Sequence, residues 1–160
     1  MAPVYIHLLL NHTPIVGLFV AILILTWAVL RNKEELLSAG LIFVMLMSFS
    51  AFPVFLSGNA AEDAVENIAG ISHDAVEAHE DAGAFSLWTA GMAFAMAGYA
   101  FVGLKRGKPN ARKLSMAALG LSVFAFATMS WVGYTGGEIR HPELSGQTQQ
   151  TAPTGAGDHD

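Results

Sequence analysis

Charged and uncharged positions in this chain are segregated into long blocks. They do not alternate with the short period of a water-facing helix or strand. Four stretches, 13–30, 36–56, 84–104 and 114–133, contain no Asp, Glu, Lys, Arg or His. Each has close to the ~20 residues that a helix needs to cross the hydrocarbon of a bilayer. The pattern predicts an all-α fold, an integral membrane four-helix bundle. The third stretch is rich in small residues (Ala84, Ala90, Gly91, Ala93, Ala95, Ala97, Gly98), which let helices approach closely where packing drives association.

Composition agrees with this. The chain of 160 residues is 53% hydrophobic and only 13% charged, with a mean hydropathy of +0.46, and a soluble domain carries about 25% charge. There is no Cys, which excludes disulfides, thiolate metal sites, iron–sulfur ligation and thioether haem attachment. Seven cations (Arg31, Lys33, Lys105, Arg106, Lys108, Arg112, Lys113) and two carboxylates (Glu34, Glu35) lie in two short connections, a net +5. The remainder holds one cation, Arg140, against eleven carboxylates, a net −10, and the two balances recover the −5 of the whole chain. By the positive-inside rule, both termini and the long connection 57–83 face away from the cytoplasm of an inner-membrane, multi-pass protein. Trp27, Trp88, Trp131 and Tyr134 fall near span ends, as interfacial aromatics do. The first stretch has no preceding positive charge and is too long for a cleaved signal.

Local signals refine the elements. Pro14 either opens the first helix after Thr13 or kinks one that begins near Val4, freeing the Leu10 carbonyl. Within 57–83, residues 60–68 read as a separate short amphipathic helix. Ser72 reads as the N-cap of one long helix over about 73–104. The bundle accounts for residues 1–141, and 142–160 reads as a disordered tail. No internal repeat stands out.

All six histidines fall on the acidic side: His7 and His12 before span one, His73 and His79 before span three, His141 and His159 after span four. A lone loop histidine on a membrane protein is ordinarily solvated or interfacial, and His159 reads that way. In an antiparallel bundle, however, the ends that carry His12, His79 and His141 converge. The spans contain no ionisable side chain, so they offer no relay for protons or ions. Nothing resembles a phosphate cradle, a nucleophile elbow or a nucleic-acid surface. Ser72, His73 and Asp74 are adjacent on a helix, so their side chains diverge and form no triad.

Three segments together carry a family resemblance. His7 and His12 stand five apart ahead of Pro14 and Ile15; Gly58, Glu62 and Glu66 precede His79 and Glu80; and Gly133, Tyr134, Gly136 and Gly137 precede His141. In this order and topology, residues 5–141 resemble the four-helix membrane family catalogued as domain of unknown function 2231. The resemblance implies His7, His12, His79 and His141 as the characteristic histidines. It also implies an association with respiratory electron transfer, alongside c-type cytochrome or Rieske-type subunits.

Three functions follow. The first is a b-type cytochrome that relays electrons, for instance from quinol, with one or two haem b groups held non-covalently by paired imidazoles at the periplasmic face. His12 with His79 is the preferred pair, and His7 with His141 the second. The second is a non-haem transition-metal site in which His7, His12, His79 and His141 converge with Glu62 or Glu80. The third is a cofactor-free structural subunit of a respiratory complex. Partners under all three are the lipid bilayer and other redox subunits, with no nucleic acid, and an electron carrier or redox subunit is favoured over a stand-alone enzyme.

Overall fold

A computed structural model describes residues 2–66 and 71–140. They form α1 (Ala2–Leu10), α2 (His12–Arg31), α3 (Glu34–Glu66), α4 (His73–Lys105) and α5 (Ala111–Arg140), with no strand among the described residues. The first two are nearly one rod. Asn11 keeps helical angles (φ −58°, ψ −29°), and its N–H donates to the His7 carbonyl at 2.9 Å. Pro14 has no N–H to give the Leu10 carbonyl, which accounts for the break at Asn11. The result is four rods, each long and apolar enough to cross a membrane.

The helices outrun the uncharged stretches. α3 passes through Pro53 without stopping and continues to Glu66. The separate helix expected over 60–68 is therefore, as far as Glu66, the end of α3. α4 begins where expected, with Ser72 in an extended conformation and its Oγ accepting from the Ala75 N–H. Tight turns close the basic end. Asn32 ends α2 in the left-handed region (φ 48°), its N–H bonded to the Ala28 carbonyl, and Gly107 (φ 63°) follows α4. Asn and Gly are the residues that accept this conformation cheaply. The tail 142–160 lies outside the described residues.

Each rod turns a stripe with alternating spacings of four and three toward the others. The buried residues are Pro14, Leu18, Ala21, Leu25 and Ala28 on α2, and Leu37, Leu41, Val44, Ser48 and Ala51 on α3. On α4 they are Ser86, Ala90, Ala93, Ala97 and Ala100, and on α5 Ser115, Ala118, Ser122, Ala125 and Met129. That spacing is the signature of left-handed, near-parallel helix packing. Small side chains dominate α4 and α5 and permit close approach. Their hydroxyls are satisfied locally, Ser115 and Ser122 donating to the Ala111 and Ala118 carbonyls. Thr89 and Thr128 bridge the two helices at 2.7 Å. The outward faces carry Phe19, Trp27, Phe49, Trp88, Phe124 and Trp131, all exposed, a surface suited to lipid.

Candidate functional site: a histidine–glycine layer

The buried stripes, followed to the end opposite the basic turns, converge on four residues. On α2 the stripe runs back from Pro14 through Asn11 to His7 of α1. On α4 it runs back from Ser86 through Gly83 to His79. On α3 it continues from Ala51 to Gly58, and on α5 from Met129 to Gly136. At about 1.5 Å of rise per residue, this layer stands roughly 36–39 Å from the basic ends of the rods. The layer lies outside the four uncharged stretches, toward the opposite ends of the rods.

The layer consists of two imidazoles and two glycines. The His7 and His79 rings face each other with centroids 6.4 Å apart and planes at 87°. A Cβ added to Gly58 would stand 3.2 Å from Cε1 of His7, and one added to Gly136 would stand 3.0 Å from Cε1 of His79. The glycines are what let each ring lie against the neighbouring helix.

Hydrogen bonding sets the tautomer of both rings. On α3, the Ser57 hydroxyl donates to the Val54 carbonyl at 2.7 Å. His7 Nδ1 lies 3.2 Å from that carbonyl and 3.2 Å from Ser57 Oγ. A carbonyl only accepts, and the Ser57 proton is already committed to it, so His7 carries its proton on Nδ1. On α5, the Thr135 hydroxyl donates to the Val132 carbonyl at 3.0 Å, and His79 Nδ1 lies 3.0 Å from Thr135 Oγ1. Nδ1–H is again the donor. In the neutral form of each ring the lone pair then lies on Nε2, the atom a metal would take, and the Nδ1 hydrogen bond is of the kind that orients a ligating imidazole. His79 is also held below the ordinary histidine value by burial first and by the facing His7 second, opposed by a hydrogen bond to Val132. The neutral ring is therefore favoured.

The two receptors share one sequence pattern. Val54-Phe55-Leu56-Ser57-Gly58 and Val132-Gly133-Tyr134-Thr135-Gly136 both read Val-x-x-Ser/Thr-Gly. Each stands toward the far end of the second rod of a hairpin, whose first rod carries a histidine near its start: His7 is the sixth residue of α1 and His79 the seventh of α4. The chain is therefore built as two matching halves, α1–α3 and α4–α5, with His7 and His79 in equivalent places. This internal correspondence is absent from the sequence reading, although the repeated Val-x-x-Ser/Thr-Gly motif was there to signal it.

The other predicted ligands are placed differently. His12 is exposed, its Nδ1 meeting the side-chain oxygen of Asn11, and the ring that faces His79 is that of His7. The structure thus sets His7, and not His12, opposite His79. The reason is register: His12 lies off the buried stripe that runs back from Pro14 to His7. Glu80 is half-buried and, as the next residue in the helix, diverges from His79. Glu62 lies one turn past Gly58 on α3, and its side chain is outside the described set, as is His141. Among the described residues, no three His, Asp or Glu side chains gather closely enough to hold a bare metal ion.

No protein-family model, no curated protein sequence and no solved structure matches the chain.

Proposed function

We propose that this is a multi-pass membrane protein that holds a redox metal centre, haem b in the first place, between His7 and His79, and serves as an electron-transfer subunit at the outer face of the inner membrane. One observation carries the reading: an imidazole from each hairpin of the bundle faces the other with centroids 6.4 Å apart, each with Nδ1 in hydrogen-bond distance of an acceptor on the neighbouring helix. His7 and His79, with ring centroids 6.4 Å apart, are the residues that would hold the metal. Two imidazoles are what haem iron takes from a chain, whereas a bare zinc ion takes three or four protein ligands, and among the described residues no third His, Asp or Glu joins the pair. When bound, haem would supply one-electron chemistry. Val54, Ser57, Val132 and Thr135 orient the two imidazoles that would hold it.

The outward placement of this end rests on the charge asymmetry, with the basic turns in the cytoplasm. The resemblance to the domain of unknown function 2231 family, and through it c-type cytochrome or Rieske-type partners, belongs to the same reading.

The test is the reduced-minus-oxidised absorption spectrum of the protein purified from membranes. A Soret shift and a sharpened α band on dithionite addition are expected. A second reading has its own support: both Nδ1 atoms are satisfied within the chain and both rings pack on glycine, as a polar plug closing a bundle would. A colourless, metal-free protein that is nevertheless destabilised by His79→Ala would establish that plug and remove the redox centre.

A further inference from the structure

The two hairpins match at the histidine layer and differ at their turns. The α2/α3 turn carries Arg31, Lys33, Glu34 and Glu35, whose charges cancel. The α4/α5 turn carries Lys105, Arg106, Lys108, Arg112 and Lys113 and no carboxylate, a charge of +5. The nearest acids along the chain, Asp81 and Glu138, stand toward the other ends of the same two rods. One acid reaches across from the α2/α3 turn: Glu34 Oε1 lies 3.2 Å from Lys105 Nζ, an exposed pair of the kind that contributes little in water. Arg106, Arg112 and Lys113 are exposed, and none of them has an ion-pair partner among the described residues.

The backbone of the turn is already ordered. The Arg106 N–H donates to the Val102 carbonyl at 3.0 Å, the Lys108 N–H to that of Gly103 at 2.9 Å and the Ala111 N–H to that of Lys108 at 3.0 Å. A ligand therefore pays little to order it. Arg112 and Lys113 stand in the first turn of α5, where the helix dipole disfavours cations and favours an anion. Aromatic neighbours set the depth of the charges. Lys108 folds back along α4, its Nζ 5.1 Å from the centre of the Tyr99 ring. On the other hairpin the Arg31 guanidinium lies 4.7 Å from the centre of Trp27. Tyr99 and Trp27 are both more than half exposed, on faces suited to lipid. Cations laid along outward rings at the end of an apolar rod occupy the depth of phospholipid headgroups.

We infer that the α4/α5 turn binds the headgroups of anionic phospholipids, with Arg106, Arg112 and Lys113 as the charges that meet them. A soluble phosphate or polyanion would meet the same charges and gain nothing from their depth, so the observations favour lipid. The site requires that the rods cross a bilayer and does not depend on the histidine pair.

The test uses the full-length protein in phosphatidylcholine bilayers that contain a trace of spin-labelled phosphatidylglycerol or of spin-labelled phosphatidylcholine. Electron spin resonance measures the fraction of each label whose motion the protein restricts. Selection of the anionic label over the neutral one by about five-fold is expected, the factor that one cation at a membrane surface contributes. High salt should weaken it, since the charges are exposed. Replacing Arg106→Gln, Arg112→Gln and Lys113→Gln together should abolish the selection, whereas Lys33→Gln on the neutral turn should leave it intact. The restricted fraction of the neutral label reports an intact bundle in every variant. Equal restriction of both labels by the wild type, or undiminished selection in the triple variant, would overturn the proposal. So would loss of selection on adding millimolar inorganic phosphate or a short RNA, which would place the ligand in water. Absence of a restricted fraction with either label would overturn it together with the spanning rods, so the two failures are distinguishable.

Discussion

Ser57 and Thr135 hold the same post in the two halves of the bundle. Each precedes a glycine, and each donates its hydroxyl proton to the carbonyl three residues earlier. Each also stands in hydrogen-bond distance of a histidine Nδ1 from another helix. The hydroxyls therefore stand beside the imidazoles as orienting acceptors and direct the proton of each neutral ring to Nδ1. Outer partners of this kind are ordinarily worth about 10–100-fold in metal affinity. Thr135→Val should lower retention of the centre by an amount in that range while the protein remains folded. Thr135→Ser should restore it. Metal retained per chain after dialysis measures both.

Glycine at the layer is a packing requirement and not a matter of backbone freedom. At Gly136→Ala the new methyl meets Cε1 of a ring that Thr135 holds in place, at 3.0 Å. The expected loss is about 1–3 kcal/mol, the usual cost of overpacking a well-filled site. Gly120→Ala, with nothing described within 4 Å, should leave stability unchanged or raise it slightly. Reversible denaturation in mixed detergent micelles compares the two.

The His79 shift gives stability a pH dependence of defined sign. Burial and the facing His7 hold the folded-state value below the ordinary 6.5, so between those two values the unfolded chain binds more protons than the folded one. Stability is therefore insensitive to this group above about pH 6.5 and falls as pH drops below it. His79→Gln removes the titration. The gap in thermal midpoint between about pH 7.5 and 5.5 should be smaller in that variant than in the wild type.

The small residues along α4 determine how closely the rods approach. Ala97 is completely buried, and Ala97→Leu should destabilise the bundle by about 1–3 kcal/mol. The same change at Gly91, on the lipid-facing side, should leave the thermal midpoint nearly unchanged.

The rods were legible because charge is excluded from them: four uncharged stretches, bounded by Arg31, Glu35, Lys105 and Lys113, mark the cores of the four spanning helices. Ser72 at the head of α4 was legible too, since a β-region serine before acidic residues satisfies open N–H groups. The continuation of α3 beyond Leu56 to Glu66 was not, since the first charges after Leu56, Glu62 and Asp63, mark a change of surroundings and not an end of the helix. Choosing His7 over His12 required the inward stripe, which lipid conceals: both faces are apolar, and the inner one is distinguished by small size, not by greater hydrophobicity. Counting back from Leu18 and Pro14 in steps of four and three leads to His7 and passes by His12. The fourth predicted histidine, His141, lies outside the described residues.

The central claim is that one metal centre sits between His7 and His79, and iron content per chain tests it most directly. Elemental analysis and haem extraction should be run side by side on the wild type and on His7→Ala, His79→Ala and His12→Ala, all purified from the same membranes. About one haem iron per chain is expected in the wild type and in His12→Ala, a ratio set by one pair of histidines, with its loss in the other two. Equal iron in all four proteins, or none in any, would contradict it.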